Sequence, residues 1–197
     1  MRIGIDFDNT IICYDHVFNK VGSEKGLVPD SLPLGKGHVR DYLRQADKED
    51  EWIWLQGYVY GSQLQDAAPY EGVNSFFKFC NDTGIDCVIV SHKTRYPYSG
   101  DTYDLHESAR KWIKEQQIDL DVYFELTKQA KVERIYKLGC SFFIDDLPEF
   151  LSLEGFPKGL KKILFDPLQK QAAYKEKFIY TNTWTDILSV IKKDKVL

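Results

Sequence analysis

Long hydrophobic runs are absent from this sequence. No stretch is apolar for long enough to cross a bilayer, and no apolar run of the signal-peptide type follows the first residues. An excess of charge of one sign is also absent, because 26 Lys and Arg residues stand against 30 Asp and Glu, giving a net charge of −4. This balance excludes a strong basic field for nucleic acid, and the basic stretch at 158–162 is expected to be a solvated loop. We therefore expect a cytoplasmic protein that binds neither membranes nor nucleic acid.

The chain holds only four cysteines, scattered at Cys13, Cys80, Cys87 and Cys140. No two of them form a CxxC pair, which argues against a zinc knuckle and against a disulfide framework. We expect free thiols, buried among apolar neighbours, in a reducing compartment.

What the sequence does contain is an alternation of strand and helix patterns in a chain of ordinary globular composition, 43% hydrophobic over 197 residues. Short apolar strand patterns lie at 3–7, 88–90, 122–124, 142–144, 163–165 and 178–180. Amphipathic helix patterns lie between or after them at 73–80, 105–113, 132–136 and 184–191. Such alternation predicts an α/β fold, with a doubly wound and mostly parallel sheet covered on both faces.

One long segment interrupts the alternation. Residues 11–68 precede the next strand–helix unit and have a mostly helical pattern, with a loop predicted at Leu27–Gly37. Gly57 and Gly61 weaken the helix pattern there, unless they serve close packing. We predict a core made of residues 1–10 and 69–197, with 11–68 as a small helical insertion.

Polar side chains follow three of the predicted strands at the point where each strand ends. They are Asp6 and Asp8, Ser91, and Asp145 with Asp146. In parallel sheets the carboxyl ends of the strands share one edge, and ligands bind there. Four carboxylates at one edge repel each other unless a cation is present, and oxygen ligands without a histidine cluster favour Mg²⁺ over Zn²⁺.

A magnesium ion held by carboxylates favours a phosphate substrate, whose charge it can neutralise. Aspartate is a phosphoryl acceptor, so one Asp of the Asp6–Asp8 pair could attack phosphorus while the other handles protons. Ser91 can donate a hydrogen bond to a phosphoryl oxygen, and Lys128, after Thr127 at a predicted helix start, can bring positive charge.

Four short motifs in this order resemble those of the haloacid dehalogenase (HAD) superfamily. The first is Ile3-Gly4-Ile5-Asp6-Phe7-Asp8-Asn9-Thr10, the second is Ile89-Val90-Ser91, the third is a lysine, and the fourth is Phe142-Phe143-Ile144-Asp145-Asp146. The third-motif lysine is Lys128 or Lys131, and its place near the helix start favours Lys128. The resemblance implies a HAD-like Rossmannoid core in which 11–68 occupies the position of a cap between motifs one and two.

The resemblance also implies roles for individual residues. Asp6 would be the nucleophile and a metal ligand, and Asp8 the general acid and base, which gives the metal its backbone carbonyl. Ser91 and Lys128 would hold the phosphoryl group. Asp145 would bind the metal directly, with Asp146 as a ligand or as its anchor.

Further candidates adjoin these motifs. Asn9, Thr10 and His92 are assigned to phosphate binding, although Asn9 stands where glycine is frequent. The long polar and aromatic loop after His92 is interpreted as part of a substrate pocket, with a plain surface loop as the alternative. Pocket candidates are Lys93, Arg95, Trp54 and Tyr58, although the aromatic pair is more often packed inside a cap.

These features favour a Mg²⁺-dependent phosphatase acting through an aspartyl-phosphate on Asp6. A small cap leaves room for a compact phosphomonoester, such as a sugar phosphate or a nucleoside monophosphate. Dehalogenation needs neither a metal nor a second acid, and a receiver domain lacks a helical insertion, so both fit less well. A phosphomutase or phosphotransferase, which needs the same four motifs, and a non-catalytic phosphate-binding module remain alternatives.

Overall fold

A six-stranded parallel sheet forms the centre of the structure, a computed structural model that describes residues 1–195. Its strands run in the order β5-β4-β1-β6-β7-β8. In chain order they are β1 Arg2–Ile5, β4 Asp86–His92, β5 Asp121–Glu125, β6 Phe142–Asp145, β7 Lys161–Phe165 and β8 Ile179–Thr181, and two short strands, β2 Ile12–Cys13 and β3 Ala68–Pro69, form a separate sheet. All six predicted strands are confirmed to within a few residues.

Helices follow most strands of the main sheet, as the alternation predicted. They are α1 Asp15–Glu24, α2 Lys36–Gln45, α3 Glu49–Gly61, α4 Val73–Asp82, α5 Leu105–Glu115, α6 Lys128–Lys137, α7 Pro148–Leu151 and α8 Trp184–Lys195. Side chains alternate between the two faces along a strand, so Leu164 and Phe165 of β7 point to opposite sides. Leu164 packs in a cluster with residues of α6 and α7, whereas Phe165 lies 6.0 Å from the Trp184 ring of α8. The sheet is therefore covered on both faces.

Local signals in the sequence explain where several helices begin and end. Thr183 and Asp186 form a reciprocal capping box at the start of α8, in which Asp186 N donates to Thr183 Oγ1 (3.0 Å) and Thr183 N to Asp186 Oδ2 (3.2 Å). Gly84 after α4 and Gly139 after α6 have φ of 67° and 64°, the left-handed conformation that favours glycine at a helix end. No helix within residues 1–195 combines the length and the apolar character that crossing a bilayer requires.

The chain forms two compact units. Unit 1 comprises Met1–Ile11, Pro69–His92 and Leu120–Leu197, and unit 2 comprises Ile12–Ala68 and Lys93–Asp119. The first segment of unit 2 corresponds to the predicted insertion at 11–68, whereas its second segment, Lys93–Asp119, falls within the predicted core at 69–197. That the insertion at 11–68 acts as a cap stays a prediction.

Unit 2 is held together by contacts between its two segments. Trp112 Nε1 of α5 donates to the Ala67 carbonyl (2.8 Å), and Trp112 is fully buried. A Cβ on Gly57 would lie 2.7 Å from Pro97 Cβ, and one on Gly61 would overlap the Tyr103 ring. The two glycines of α3 therefore permit close packing of the 93–119 segment, at the expense of helix propensity.

Candidate active site

The site lies where the strand order reverses direction. β1 is flanked by β4 and by β6, with Ile5 in register with both Ile89 and Ile144. One residue beyond Ile5, Asp6 N donates to the Ile144 carbonyl (2.9 Å). The backbones of Asp6 and Asp145 are therefore adjacent at the carboxyl ends of β1 and β6. Such a switch point is where open α/β sheets bind ligands.

Lys131 is the side chain that joins these aspartates. Its Nζ lies 2.6 Å from Asp6 Oδ1 and 2.7 Å from Asp145 Oδ2, and all three residues are buried. The ammonium group also lies 4.1 Å from the centroid of the Phe150 ring, a cation–π distance. Helix α6 places Lys131 there because Val132 and Ile135, on the same side of the helix, pack into the core of unit 1.

The charges in this cluster perturb one another strongly. Burial raises the pKa of Asp6 to about 7, and Asp145 and Asp8 add to the effect, whereas Lys131 opposes it. Burial alone would lower the pKa of Lys131, but the carboxylates of Asp145 and Asp6 outweigh it and raise that pKa above its ordinary value. The cluster therefore holds more acidic groups than one lysine neutralises.

The donor set fits a hard divalent cation. Carboxylate oxygens of Asp6, Asp145 and Asp146 lie within 4.8 Å of one another. Leu147 N donates to Asp145 Oδ1 (2.9 Å), which fixes that carboxylate, and Thr10 Oγ1 lies 3.5 Å from Asp146 Oδ1. Oxygen donors with a net negative charge are the ligands that Mg²⁺ and similar cations prefer.

Ser91 has the property expected of a group that donates to a ligand. The residue is 1% exposed, and among the described residues its Oγ has no hydrogen-bond partner. A buried hydroxyl without a partner costs free energy and is rare in folded proteins. It lies near the end of β4, the strand next to the one that leads into Asp6.

Comparison with solved structures shows which known fold the chain resembles. A HAD family hydrolase from Deinococcus radiodurans, solved with bound phosphate and sodium, aligns with 100% of this chain and 96% of its own at 13% identity and a TM-score of 0.63. A predicted phosphatase from Clostridium acetobutylicum aligns with 98% of both chains (13% identity, TM-score 0.62). A HAD-superfamily hydrolase from Ehrlichia chaffeensis aligns with 98% of this chain and 96% of its own (16% identity, TM-score 0.58).

This chain has the HAD fold. No protein-family model matches the sequence, and no curated protein matches it. The sheet of the HAD fold brings together Asp6, Ser91 and the Asp145–Asp146 pair at neighbouring strand ends, which is the arrangement that the four motifs predicted.

The lysine differs from the one that the sequence analysis favoured. Lys128, the preferred candidate, is exposed and lies 3.8 Å from Glu149, whereas Lys131 reaches the aspartates. Lys128 is the first residue of α6, after the cap formed by Thr127 Oγ1 and Ala130 N (3.0 Å). Proximity to a helix start does not predict which lysine contacts the aspartates, because the direction of the side chain depends on which face of α6 packs on the sheet.

The other residues predicted to bind phosphate lie in unit 1. Asn9 has φ of 58°, so this asparagine adopts the left-handed conformation that otherwise favours glycine. Thr10 is fully buried, and its carbonyl accepts from Trp184 Nε1 (3.1 Å). His92 Nε2 lies 3.2 Å from the Leu126 carbonyl, and burial lowers its pKa.

The predicted pocket residues all lie in unit 2. Lys93 is buried, with Nζ 4.8 Å from the Tyr60 ring centroid. Arg95 forms an ion pair with Asp104 (2.9 Å), and Trp54 stacks on Tyr58 with centroids 5.1 Å apart. Their role in substrate selection stays a prediction.

Lys131 and Lys128 provide a matched test of the buried cluster. We expect Lys131→Met to lower the free energy of unfolding by about 3–5 kcal/mol in EDTA, because it leaves Asp6 and Asp145 buried without a cation. Lys128→Met should cost less than about 1 kcal/mol, since its ion pair is solvent-exposed. Urea denaturation with EDTA or with Mg²⁺ measures both, and Mg²⁺ should recover part of the loss in Lys131→Met. Equal effects of the two substitutions would contradict this account of the cluster.

Proposed function

We propose that the chain is a phosphohydrolase of the HAD type, which cleaves a small phosphomonoester through an aspartyl-phosphate on Asp6. The observation that carries the proposal is the contact of Lys131 Nζ with Asp6 Oδ1 (2.6 Å) and Asp145 Oδ2 (2.7 Å) at the switch point of the sheet. A buried ammonium group beside a candidate nucleophile is suited to hold an anionic group next to it. The HAD family hydrolase from Deinococcus radiodurans, which has a similar fold, was solved with bound phosphate and sodium, so binding of an anion and a cation is compatible with this fold.

In the first step, a carboxylate oxygen of Asp6 attacks phosphorus and the bond from phosphorus to the leaving oxygen breaks. Asp8 donates a proton to that oxygen, so the alcohol leaves as a neutral molecule. Ser91 Oγ and Lys131 Nζ donate to the non-bridging phosphoryl oxygens. Both side chains are buried, so their hydrogen bonds act in a medium that screens charge weakly.

In the second step, Asp8 takes a proton from water, and the resulting hydroxide attacks phosphorus. The bond between phosphorus and Asp6 breaks, which releases inorganic phosphate and restores the Asp6 carboxylate. A divalent cation, when bound by Asp6, Asp145, Asp146 and the Asp8 backbone carbonyl, supplies positive charge that neutralises the phosphoryl oxygens. The oxygen-only donor set leads us to propose Mg²⁺.

Substrate selection is assigned to the insertion at 11–68 and to the loop after His92, with a sugar phosphate or a nucleoside monophosphate as the class of substrate. A cap that controls access of substrate and water is a common device for excluding competing reactions. We propose a cytoplasmic location, where such metabolites occur. Turnover of an aryl phosphate in Mg²⁺ and in EDTA tests the activity itself, and a panel of phosphorylated metabolites then tests the substrate class. Absence of Mg²⁺-dependent phosphate release from every compound would contradict the proposed function.

Asp8→Asn tests the assignment of the acid and base. We expect turnover of an aryl phosphate to fall by about 10²–10⁴-fold, because an amide neither protonates the leaving oxygen nor activates water. A good leaving group needs little acid assistance, so the second step should suffer more and a phosphorylated protein should accumulate. Phosphate release and intact-protein mass spectrometry measure the two effects. Asp121→Asn, at an exposed position at the start of β5, serves as the control, and a full rate in Asp8→Asn would remove Asp8 from the mechanism.

A further inference from the structure

A third buried carboxylate, Asp166, lies directly after β7 and has no part in the mechanism above. It is 3% exposed. Its Oδ1 accepts from Lys170 N (3.1 Å), and its Oδ2 accepts from Gln171 N (2.7 Å) and from Tyr180 Oη (2.6 Å). Its backbone carbonyl accepts from Asn182 Nδ2 (2.7 Å). Several donors are thus used to keep one carboxylate in place.

These bonds close the loop at 167–171. Gln169, in the middle of the loop, has φ of 55°, and its N–H donates to the Asp166 carbonyl (3.1 Å). Left-handed backbone at a non-glycine residue is uncommon and is kept where surrounding bonds determine it. The Asp166 carboxylate stabilises this backbone conformation, because it accepts hydrogen bonds from the N–H groups of Lys170 and Gln171, the two residues after Gln169.

The side chain of Gln171, at the end of this loop, contacts the candidate active site. Gln171 Nε2 donates to the Asp146 carbonyl (2.9 Å). The N–H of the same peptide unit belongs to Leu147, and it donates to Asp145 Oδ1 (2.9 Å). The peptide between Asp146 and Leu147 is therefore bonded at both ends, by Gln171 on its oxygen and by Asp145 on its nitrogen.

We propose that Gln171 and Asp166 are positioning residues, which orient the carboxylates of Asp145 and Asp146 for cation binding. Gln171 fixes the plane of the 146–147 peptide, and that peptide in turn fixes the Asp145 carboxylate. Groups that orient metal ligands in this way typically influence metal affinity by about 10–100-fold. The inference rests on the proposed function, because it takes Asp145 and Asp146 as cation ligands.

The test uses Gln171→Met, which keeps the length of the side chain and removes the amide donor. Isothermal titration of Mg²⁺ into the substrate-free protein should show a Kd raised by about 10-fold. Turnover should require correspondingly more Mg²⁺ to reach half its maximum. Gln45→Met makes the same chemical change at an exposed position in α2, distant in sequence from Gln171. It should leave the Mg²⁺ Kd unchanged.

Tyr180→Phe provides a milder variant, because it removes only the hydroxyl that donates to Asp166 Oδ2. It should raise the Mg²⁺ Kd in the same direction, by a smaller factor than Gln171→Met. An unchanged Kd in both variants, even with a lowered Tm, would overturn the proposal and leave Asp166 as a structural residue. Asp145→Ala separates this failure from that of the proposed function: if it also keeps Mg²⁺ binding, the cation site itself has been misassigned.

Discussion

Asp6→Asn is expected to abolish both turnover and formation of a phosphoenzyme. The substitution keeps the volume of a buried side chain but replaces a carboxylate with an amide, which is a poor nucleophile. Loss of a covalent nucleophile typically lowers the rate by at least about 10⁴-fold. Release of phosphate from an aryl phosphate measures the first effect. Mass spectrometry of acid-quenched protein measures the second, with the phosphoryl group expected on Asp6 in the wild type.

The control for Asp6→Asn is again Asp121→Asn, whose exposed side chain should tolerate the change without loss of activity. The phosphoryl group of the wild-type protein must map to Asp6 and to no other residue. A phosphoryl group on another residue would show that this other residue, and not Asp6, is the nucleophile. Direct attack by water is one displacement at phosphorus and inverts its configuration, whereas the covalent route takes two displacements and retains it. Inversion, measured with a substrate whose phosphoryl group is isotopically chiral, would contradict the covalent mechanism.

Asp145→Ala is expected to reduce turnover to the level measured in EDTA and to remove high-affinity Mg²⁺ binding. Asp145 is fully buried, and its two carboxylate oxygens contact Lys131 Nζ and Leu147 N. Removing it deletes one of the three clustered carboxylates that fit a cation. Calorimetry with Mg²⁺ alone measures binding, and an aryl phosphate assay over a range of Mg²⁺ concentrations measures the effect on turnover.

Asp146→Ala should have a smaller effect than Asp145→Ala, because Asp146 is partly exposed whereas Asp145 is fully buried. Thermal unfolding in EDTA separates loss of metal from loss of the fold. A folded Asp145→Ala protein that binds Mg²⁺ tightly and turns over normally would contradict the assignment of this residue as a ligand.

The neighbourhood of Asp6, Ser91 and Asp145 could be predicted from the sequence because it follows from local patterns. Apolar runs of strand length identify β1, β4 and β6, and parallel strands place their carboxyl ends at one edge. The alternation with helices was enough to predict the parallel sheet, and the sheet then decides which side chains meet. No distant contact had to be known for these residues.

The lysine was harder to predict, although a signal was present. Lys131 precedes Val132 and lies four residues before Ile135, so it shares the side of α6 that carries the apolar stripe. A charged residue on that side must be buried, and a buried ammonium group requires carboxylate partners. The criterion of proximity to the helix start ignored this periodicity and favoured Lys128 instead.

The sequence by itself determined the six strands of the main sheet, the helices α4, α5, α6 and α8, the acidic residues at the strand ends and the capping signals, because each depends on neighbours a few residues apart. Only the tertiary structure decided that Lys93–Asp119 joins Ile12–Ala68 in one compact unit. It alone also decided that Gln171 reaches the Asp146 carbonyl. Both outcomes depend on the packing of segments distant in the chain, where a loop residue such as Gln171 has no periodicity to indicate its partner. Its position follows from the hydrogen bonds of Asp166, which form only once β7 and β8 lie side by side.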